Sequence, residues 1–317
     1  MTSRKSIHVS GHTDAHRLIH GASDGHPGLY IERLGDHLLV QSDRDRDDRI
    51  DAFIEEIRTQ NGCRSAYWKQ LRRDVRHTTP EDASPRHIAG EPAPNRFSIL
   101  ENGITYEASF EEGYSYGLFL DQRENRARLA DGRVAKQLPA GGHEPARLLN
   151  AFAYTCAFSV CAAKGGFETT SLDLSRKYLN WGRRNFELNG LDPAQHDFIY
   201  GDVFDWFKRL RNKGREFEAI VLDPPTFSRS KKKQFKAGTD YGKLVELTLP
   251  ILAPGGLLFA STNSANFSKA NFLQQVEDAV IGNGREILRS EFVSQPPDFP
   301  ISSAEPAYLK TVWITVA

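Results

Sequence analysis

The chain has 317 residues, of which 39% are apolar and 26% charged, and its 41 basic and 41 acidic residues give a formal net charge of zero. This composition excludes a disordered chain and a uniformly basic one, so any binding of nucleic acid must use local basic patches. The first residues lack the apolar run of a signal peptide, and no segment is apolar enough to span a membrane. Cys63, Cys156 and Cys161 show no metal-type spacing. We therefore expect a reduced, cytoplasmic protein without membrane contact.

Four histidines near the N-terminus, His8, His12, His16 and His20, recur at a spacing of four residues. On a helix they would line one face and suggest a metal site. Gly11 disfavours a continuous helix there, and no set of carboxylates or thiolates accompanies the histidines. We therefore expect no bound metal ion.

Residues 1–112 are predicted to form a small α+β domain that positions a substrate, or that only buttresses its neighbour. Its Asn102-Gly103 pair is typical of a type I′ hairpin turn. The predicted elements are a hairpin at 28–42 around Gly35-Asp36, a helix at 47–60, a strand at 66–68, a loop at 79–95 and a second hairpin at 96–110.

Residues 113–317 are predicted to form a second domain in which strands and helices alternate. Strand candidates at 147–152, 169–173, 197–200, 218–222 and 256–261 are separated by helices that begin near 157, 175, 202, 241 and 269. This alternation predicts a parallel sheet with helices on both faces. The last two strand candidates, at 287–293 and 309–316, have no helix between them, so they should close the sheet with an antiparallel edge.

Three aspartates end successive predicted strands, and the carboxyl ends of parallel strands share one edge of a sheet. A small-residue turn after the first strand is suited to bind a ligand carboxylate through its amides, although no G-x-G-x-x-G is present. Asp173 is placed to bind ribose hydroxyls and Asp202 an adenine amino group. Each of these two fits a helix N-cap equally well. Together with Asp223 they favour an adenosyl ligand.

The segment 218–236 combines a buried strand with a stiff elbow at Asp223-Pro224-Pro225, where proline ends the strand. The elbow offers a carboxylate and the aromatic face of Phe227, which suit a planar base with an exocyclic amine or a ring N–H. Cations that suit phosphates follow, although an ordinary solvated loop would explain them too: Arg229, Lys231, Lys232, Lys233 and Lys236.

Six segments carry a resemblance to a known family: GLFLDQRENR (117–126), LLNAFAYTCAFSVCAAKGG (148–166), SLDLS (171–175), LNWGRRNFELNGLD (179–192), GDVFDWF (201–207) and DPPTFSRSKK (223–232). They resemble the class I S-adenosylmethionine-dependent methyltransferases of bacterial large-subunit ribosomal RNA. Residues 16–42 also look like the domain that precedes the catalytic one in that family. The resemblance implies a Rossmann-like, seven-stranded α/β methyltransferase domain behind the smaller α+β domain.

The resemblance also implies roles for single residues. Asp173 should hold the ribose and Asp202 the adenine, while Arg123 should lie near the cofactor or the target. The other cofactor residues would be Asn150, Tyr154, Thr155, Leu174, Ser175 and Val203. Asp223, Pro224 and Phe227 should frame the acceptor base, and RNA should be bound by Arg72, Arg73, Arg229, Lys231, Lys232 and Lys233.

The sequence departs from the family pattern at three places. Cys156 replaces a usual glycine, so the turn must keep a negative φ or carry strain. No separate RNA-binding PUA domain is expected before residue 16. In the cytosine-C5 branch a catalytic thiol lies at the end of the fifth strand, where this chain has Ser261-Thr262-Asn263-Ser264, and Thr226 offers none either.

Methylation of cytosine C5 requires a cysteine adduct, whereas guanine N7 is already nucleophilic. The 292–316 segment also resembles the guanine-N7 branch, so we expect direct transfer to guanine N7 of large-subunit ribosomal RNA by a monomer or homodimer. A cytosine-C5 enzyme is one alternative. Another is an RNA assembly factor that binds the cofactor with little catalysis, which Cys156 in the cofactor turn would favour.

Overall fold

The computed structural model describes residues 12–71, 84–112, 115–139, 141–229, 234–264 and 267–317. The chain separates into two compact units. The first runs to Arg123 and takes in Pro296–Ala307, and the second comprises Glu124–Gln295 and Tyr308–Ala317. The first unit therefore includes a segment from near the C-terminus that the predicted division after residue 112 assigns to the second domain.

The first unit contains a five-stranded sheet of order β1-β2-β3-β4-β5 and a separate hairpin, β6–β7. Strands β3 and β4, which helix α1 connects along the chain, pair in parallel. The other neighbouring strands of this sheet are antiparallel. The elements are β1 (Ala15–His20), β2 (Leu29–Leu34), β3 (His37–Ser42), α1 (Asp48–Gln60), β4 (Ser65–Gln70), β5 (Arg86–Gly90), β6 (Phe97–Glu101) and β7 (Ile104–Ala108).

Both predicted hairpins and the predicted helix are confirmed. Asn102 and Gly103 have φ values of 51° and 79°, as a type I′ turn requires. The predicted loop at 79–95 was wrong in part, because β5 lies within it and pairs with β4. His16 and His20 lie on strand β1, not on a helix. Among the residues described, no three His, Cys, Asp or Glu side chains group as metal ligands.

The segment Pro296–Ala307, which returns to the first unit from near the C-terminus, is bound there by one buried and one half-buried carboxylate. Asp298 is fully buried and accepts hydrogen bonds from the Arg123 guanidinium and from the backbone N–H of Arg17. Glu305 accepts from the backbone N–H of Ala22 and from the Tyr30 hydroxyl. This long-range ion pair and these hydrogen bonds explain why 296–307 belongs to the first unit.

The second unit is a seven-stranded sheet of order β10-β9-β8-β11-β14-β16-β15. Its strands are β8 (Arg147–Ala151), β9 (Glu168–Asp173), β10 (Asp197–Tyr200), β11 (Phe217–Leu222), β14 (Leu252–Thr262), β15 (Ile287–Glu291) and β16 (Lys310–Val316). Its helices are α2 (Arg123–Ala130), α3 (Ala157–Lys164), α4 (Arg176–Leu188), α5 (Val203–Asn212), α6 (Ala237–Thr248) and α7 (Lys269–Gly282).

The predicted Rossmann-like α/β fold is confirmed. Strands β10, β9, β8, β11 and β14 are parallel, and β16 pairs antiparallel with both β14 and β15 to form the predicted edge. Helix α6 begins four residues before the predicted start, and the ends of the lysine-rich loop form a short ladder of β12 (Phe227–Arg229) with β13 (Gln234–Lys236). No helix in the described ranges is long and apolar enough to cross a membrane.

Candidate cofactor and acceptor site

The turn between β8 and α3 has an unusual backbone. Phe152, Tyr154 and Cys156 have φ values of 60°, 48° and 62°, so alternate residues are left-handed and none of them is glycine. Such a conformation costs about 1–2 kcal/mol per non-glycine residue and is retained where the surrounding structure holds it. The turn is therefore strained. The sequence predicted either a negative φ at Cys156 or strain, and the positive φ shows that strain is the outcome.

Asp173 ends β9 and joins this turn to the next helix. Its carboxylate accepts hydrogen bonds from the backbone N–H groups of Tyr154 and Ser175, each at 2.8 Å. Burial raises the pKa of Asp173 above its usual value, and these N–H groups oppose that rise. Ser175 caps helix α4 by accepting from the N–H of Tyr178. The N-cap is thus Ser175, and the Asp173 carboxylate stands at the carboxyl edge of the sheet.

Asp202 follows β10 and caps α5, since its Oδ1 accepts from the N–H groups of Phe204 and Asp205. The N-cap interpretation is therefore correct for Asp202, and it leaves Oδ2 for a ligand donor. Leu174 is 46% exposed, whereas Val203 is buried. This exposed leucine directly follows Asp173 and provides an apolar surface that fits the face of an adenine ring.

Asn150 and Thr155, both predicted to line the methionine side, are buried. Asn150 donates to the Ser159 hydroxyl at 2.9 Å, and Ser171 donates to the same hydroxyl at 2.7 Å. The backbone carbonyl of Thr155 accepts from Asn185. These bonds tie β8, β9 and the helices α3 and α4 together beneath the turn.

Cys156, the last left-handed residue of the strained turn, is fully buried, and its side chain lies against Gly182 of helix α4. A Cβ at Gly182 would collide with the Cys156 sulfur, so the glycine makes room for the thiol. Burial raises the pKa of Cys156 to about 12, which leaves no thiolate at neutral pH. The thiol therefore serves packing.

The acceptor elbow follows β11, and its carboxylate is bound from the neighbouring strand. The Ser261 hydroxyl on β14 donates to Asp223 Oδ1. Pro224 is buried, and Pro225 and Thr226 are exposed. Asp223 is thus fixed at the carboxyl edge of the sheet, beside the strand ends that carry the cofactor candidates.

Tyr241 of helix α6 connects the ends of β11 and β14. Its hydroxyl lies 3.1 Å from the carbonyl of Leu222 and 2.9 Å from that of Ser261, and it accepts from the Ser261 N–H at 2.8 Å. Burial, with the Asp223 charge nearby, raises the pKa of Tyr241 well above its usual value, so the phenol keeps its proton. Sequence reasoning missed this role because the bonded groups lie 19 and 20 residues from Tyr241.

Several predicted residues do not enter this geometry. Arg123 belongs to the first unit, where Asp298 binds its guanidinium. The backbones of Phe227 and Arg229 lie in β12, but their side chains are outside the description. The remaining predicted RNA contacts lie outside the described residues: Arg72, Arg73, Lys231, Lys232 and Lys233.

The sheet order, the antiparallel edge strand and the carboxylates at neighbouring strand ends define an α/β enzyme that binds an adenosyl cofactor. The chain belongs to the S-adenosylmethionine-dependent methyltransferase family, whose model matches residues 34–314. The predicted fold, enzyme class and cofactor are thereby confirmed.

Individual relatives agree with this assignment. The chain is 34% identical over 313 residues to a ribosomal RNA large subunit methyltransferase of Deinococcus radiodurans, which covers 96% of this chain and 73% of that protein. It is 36% identical over 301 residues to ribosomal RNA large subunit methyltransferase I of Aeromonas salmonicida, covering 93% and 73%. Its fold matches the crystal structure of the methyltransferase SMU.776 complexed with SAH, with a TM-score of 0.83 and 34% identity over 96% of this chain and 76% of that chain.

Proposed function

We propose that the protein transfers a methyl group from S-adenosylmethionine to a base of large-subunit ribosomal RNA, with guanine N7 as the acceptor. The names of both relatives support the substrate class. The choice of guanine N7 as the acceptor atom rests on one observation. Neither of the two segments around the elbow, 223–229 and 261–264, contains a cysteine.

The location of the three cysteines argues against a covalent mechanism. Cys63 is buried in the first unit, and Cys156 and Cys161 are buried in the turn and helix after β8. The hydroxyls that stand near the elbow are already hydrogen-bonded, that of Ser261 to Asp223 and that of Thr226 to Asn263. A hydroxyl is also far less acidic than a thiol. The absence of a nearby thiol therefore supports the proposal of a mechanism without covalent attack on cytosine C6.

Transfer to guanine N7 needs less from the protein. S-adenosylmethionine, when bound, supplies an electrophilic methyl group on a sulfonium. The N7 lone pair forms the new bond as the methyl–sulfur bond breaks, so no proton has to be removed. The protein has to align the two reactants and orient the base. In this proposal Asp223 accepts from the base N–H groups, and Pro224 and Phe227 border the base.

The cofactor would be held on the other side of the same edge. Asp173 would bind the ribose hydroxyls, and Asp202 the adenine amino group. The adenine would lie between Leu174 and Val203, with Ser175 fixing the start of α4. Asn150, Tyr154 and Thr155 would shape the turn beside the methionine.

RNA binding would use the basic segments of the sequence, Arg72 and Arg73 together with Arg229 and Lys231–Lys233. Each lysine or arginine that contacts a phosphate releases counterions, so the affinity should fall steeply with salt. An affinity that does not depend on salt would indicate that these side chains form only a solvated face.

Methyl transfer to undermodified large-subunit ribosomal RNA, followed by nucleoside mass spectrometry, tests the proposal. Label in 7-methylguanosine is expected. Label in 5-methylcytidine, together with a stable protein adduct on RNA containing 5-fluorocytidine, would contradict the acceptor and require a thiol nucleophile. Tight cofactor binding without label in any RNA would favour an assembly factor.

A further inference from the structure

The segment Ser261–Ser264, at the end of β14, is held by three other parts of the second unit. The Ser261 N–H donates to Tyr241, and the Ser261 hydroxyl donates to Asp223. Beyond Asn263, the carbonyl of Ser264 accepts from Lys310 Nζ at 2.7 Å, and Lys310 is buried. The backbone is therefore fixed on both sides of Asn263.

Asn263 itself is exposed, yet its side chain has a defined orientation. The Thr226 hydroxyl donates to Asn263 Oδ1 at 2.8 Å. This bond holds the amide carbonyl toward Thr226 and directs the Nδ2 amino group away from it. Because Thr226 follows the double proline, the bond connects the acceptor elbow directly to the end of β14.

We propose that Asn263 is a specificity-determining residue that reads the target base with its Nδ2 amino group. This inference rests on the proposed function and deepens it. A fixed donor at Asn263 lies two residues beyond Ser261, which holds the acceptor carboxylate of Asp223. The donor at Asn263 and the acceptor at Asp223 together match a 6-oxopurine. Its carbonyl accepts from Nδ2, and its neighbouring ring N–H donates to the carboxylate.

The same pair rejects adenine. Adenine has an amino group where guanine has a carbonyl, so two donors would face each other at Asn263 and the Nδ2 group would lose its partner. The Thr226 bond strengthens this discrimination, because an amide that could rotate would present its oxygen to the adenine amino group. Thr226 is thus a positioning residue for Asn263.

The test compares Asn263→Ala with Asn271→Ala, a change at an exposed asparagine of helix α7 that serves as the control. We expect Asn263→Ala to lower kcat/KM for undermodified ribosomal RNA about tenfold, the effect of one hydrogen bond, with unchanged affinity for S-adenosylhomocysteine. Thr226→Val, which removes the hydroxyl, should lower kcat/KM in the same direction, and Thr226→Ser should restore it.

A base analogue separates recognition from a structural role. In a ribosomal RNA fragment that carries 6-thioguanosine at the methylated position, a sulfur that accepts hydrogen bonds only weakly replaces the carbonyl oxygen, and the ring N–H that donates to Asp223 is kept. The wild-type protein should then lose the same factor in kcat/KM, and Asn263→Ala should lose no more than that. Additive losses from the variant and the analogue would overturn the inference, since Asn263 would then act elsewhere.

The outcomes also separate the inference from the proposed function. If the wild-type protein and Asn263→Ala label guanosine equally well, the inference is overturned and the proposed function stands. Wild-type protein that labels no guanosine would contradict the proposed function, and the inference with it.

Discussion

The proposed role of Asp173 in binding the ribose predicts that cofactor binding is sensitive to acid. Burial raises the pKa of its carboxyl group, although the N–H groups of Tyr154 and Ser175 oppose this. Ribose hydroxyls donate to the ionised form, so binding favours the deprotonated carboxylate. We predict that cofactor affinity is constant at neutral pH and falls as the pH drops through this raised pKa. Calorimetric titration between about pH 4 and 8 measures the effect.

Two isosteric variants provide the control for this prediction. Asp173→Asn should weaken cofactor binding about ten- to a hundredfold, the effect of a charged hydrogen bond, and should remove the decline at acid pH. Asp223→Asn should abolish methyl transfer while cofactor affinity and its pH dependence stay as in the wild type. Equal losses of cofactor affinity in both variants would show that the two carboxylates do not have separate roles.

The same residues show how far sequence reasoning reaches. Carboxylates at successive strand ends were predictable, because strand ends are marked by local apolar runs and by proline. The conformation of Cys156 was predictable only as a choice between negative φ and strain, and the structure has φ at 62°. Gly182, which makes room for the Cys156 thiol, lies on helix α4, so no local sequence pattern connects the two residues.

Helix α6 joins two strands of the sheet through a single hydroxyl. In Tyr241→Phe, the buried N–H of Ser261 loses its acceptor, and the carbonyls of Leu222 and Ser261 lose the one hydroxyl proton that they share. We predict a loss of about 1–3 kcal/mol in the free energy of unfolding. Methyl transfer should also decrease, because Ser261 holds Asp223. Urea denaturation and transfer assays measure the two effects.

Tyr200→Phe is the matched control for this change, since Tyr200 is 49% exposed and the ring that stacks with Arg176 is retained. It should change neither stability nor transfer. A Tyr241→Phe protein as stable and active as Tyr200→Phe would mean that the hydroxyl does not hold the strand ends together.

Elements whose apolar pattern is local were predicted with nearly correct bounds, as for β8 to β11 in the parallel sheet. Strand β5 was missed because none of its five residues is buried, three being exposed and two at intermediate depth, so it has no apolar alternation. It exists because β4 offers a partner. Helix α6 begins at Ala237, before the predicted start, because Lys236, the last residue of β13, is also the N-cap residue of the helix, and the ladder with β12 fixes the entry into the helix.

The chain returns to its first unit late in the sequence, and a buried ion pair holds that return. Arg123 and Asp298 are 6% and 0% exposed at their side chains, so removing one partner leaves an uncompensated buried charge. We predict that Asp298→Ala costs about 3–5 kcal/mol in the stability of the first unit. Amide hydrogen exchange of β2 and β3 reports this loss without relying on the second unit.

Two further variants decide whether the charge or the packing is responsible. Arg123→Met combined with Asp298→Leu should be less destabilising than the sum of the single changes, because no buried charge is left alone. Asp51→Ala, which breaks the exposed Arg46–Asp51 pair in the same unit, should cost less than about 1 kcal/mol. If the double variant instead lost the full sum, the shape and hydrogen bonds of the native pair, and not the uncompensated charge, would hold the segment 296–307.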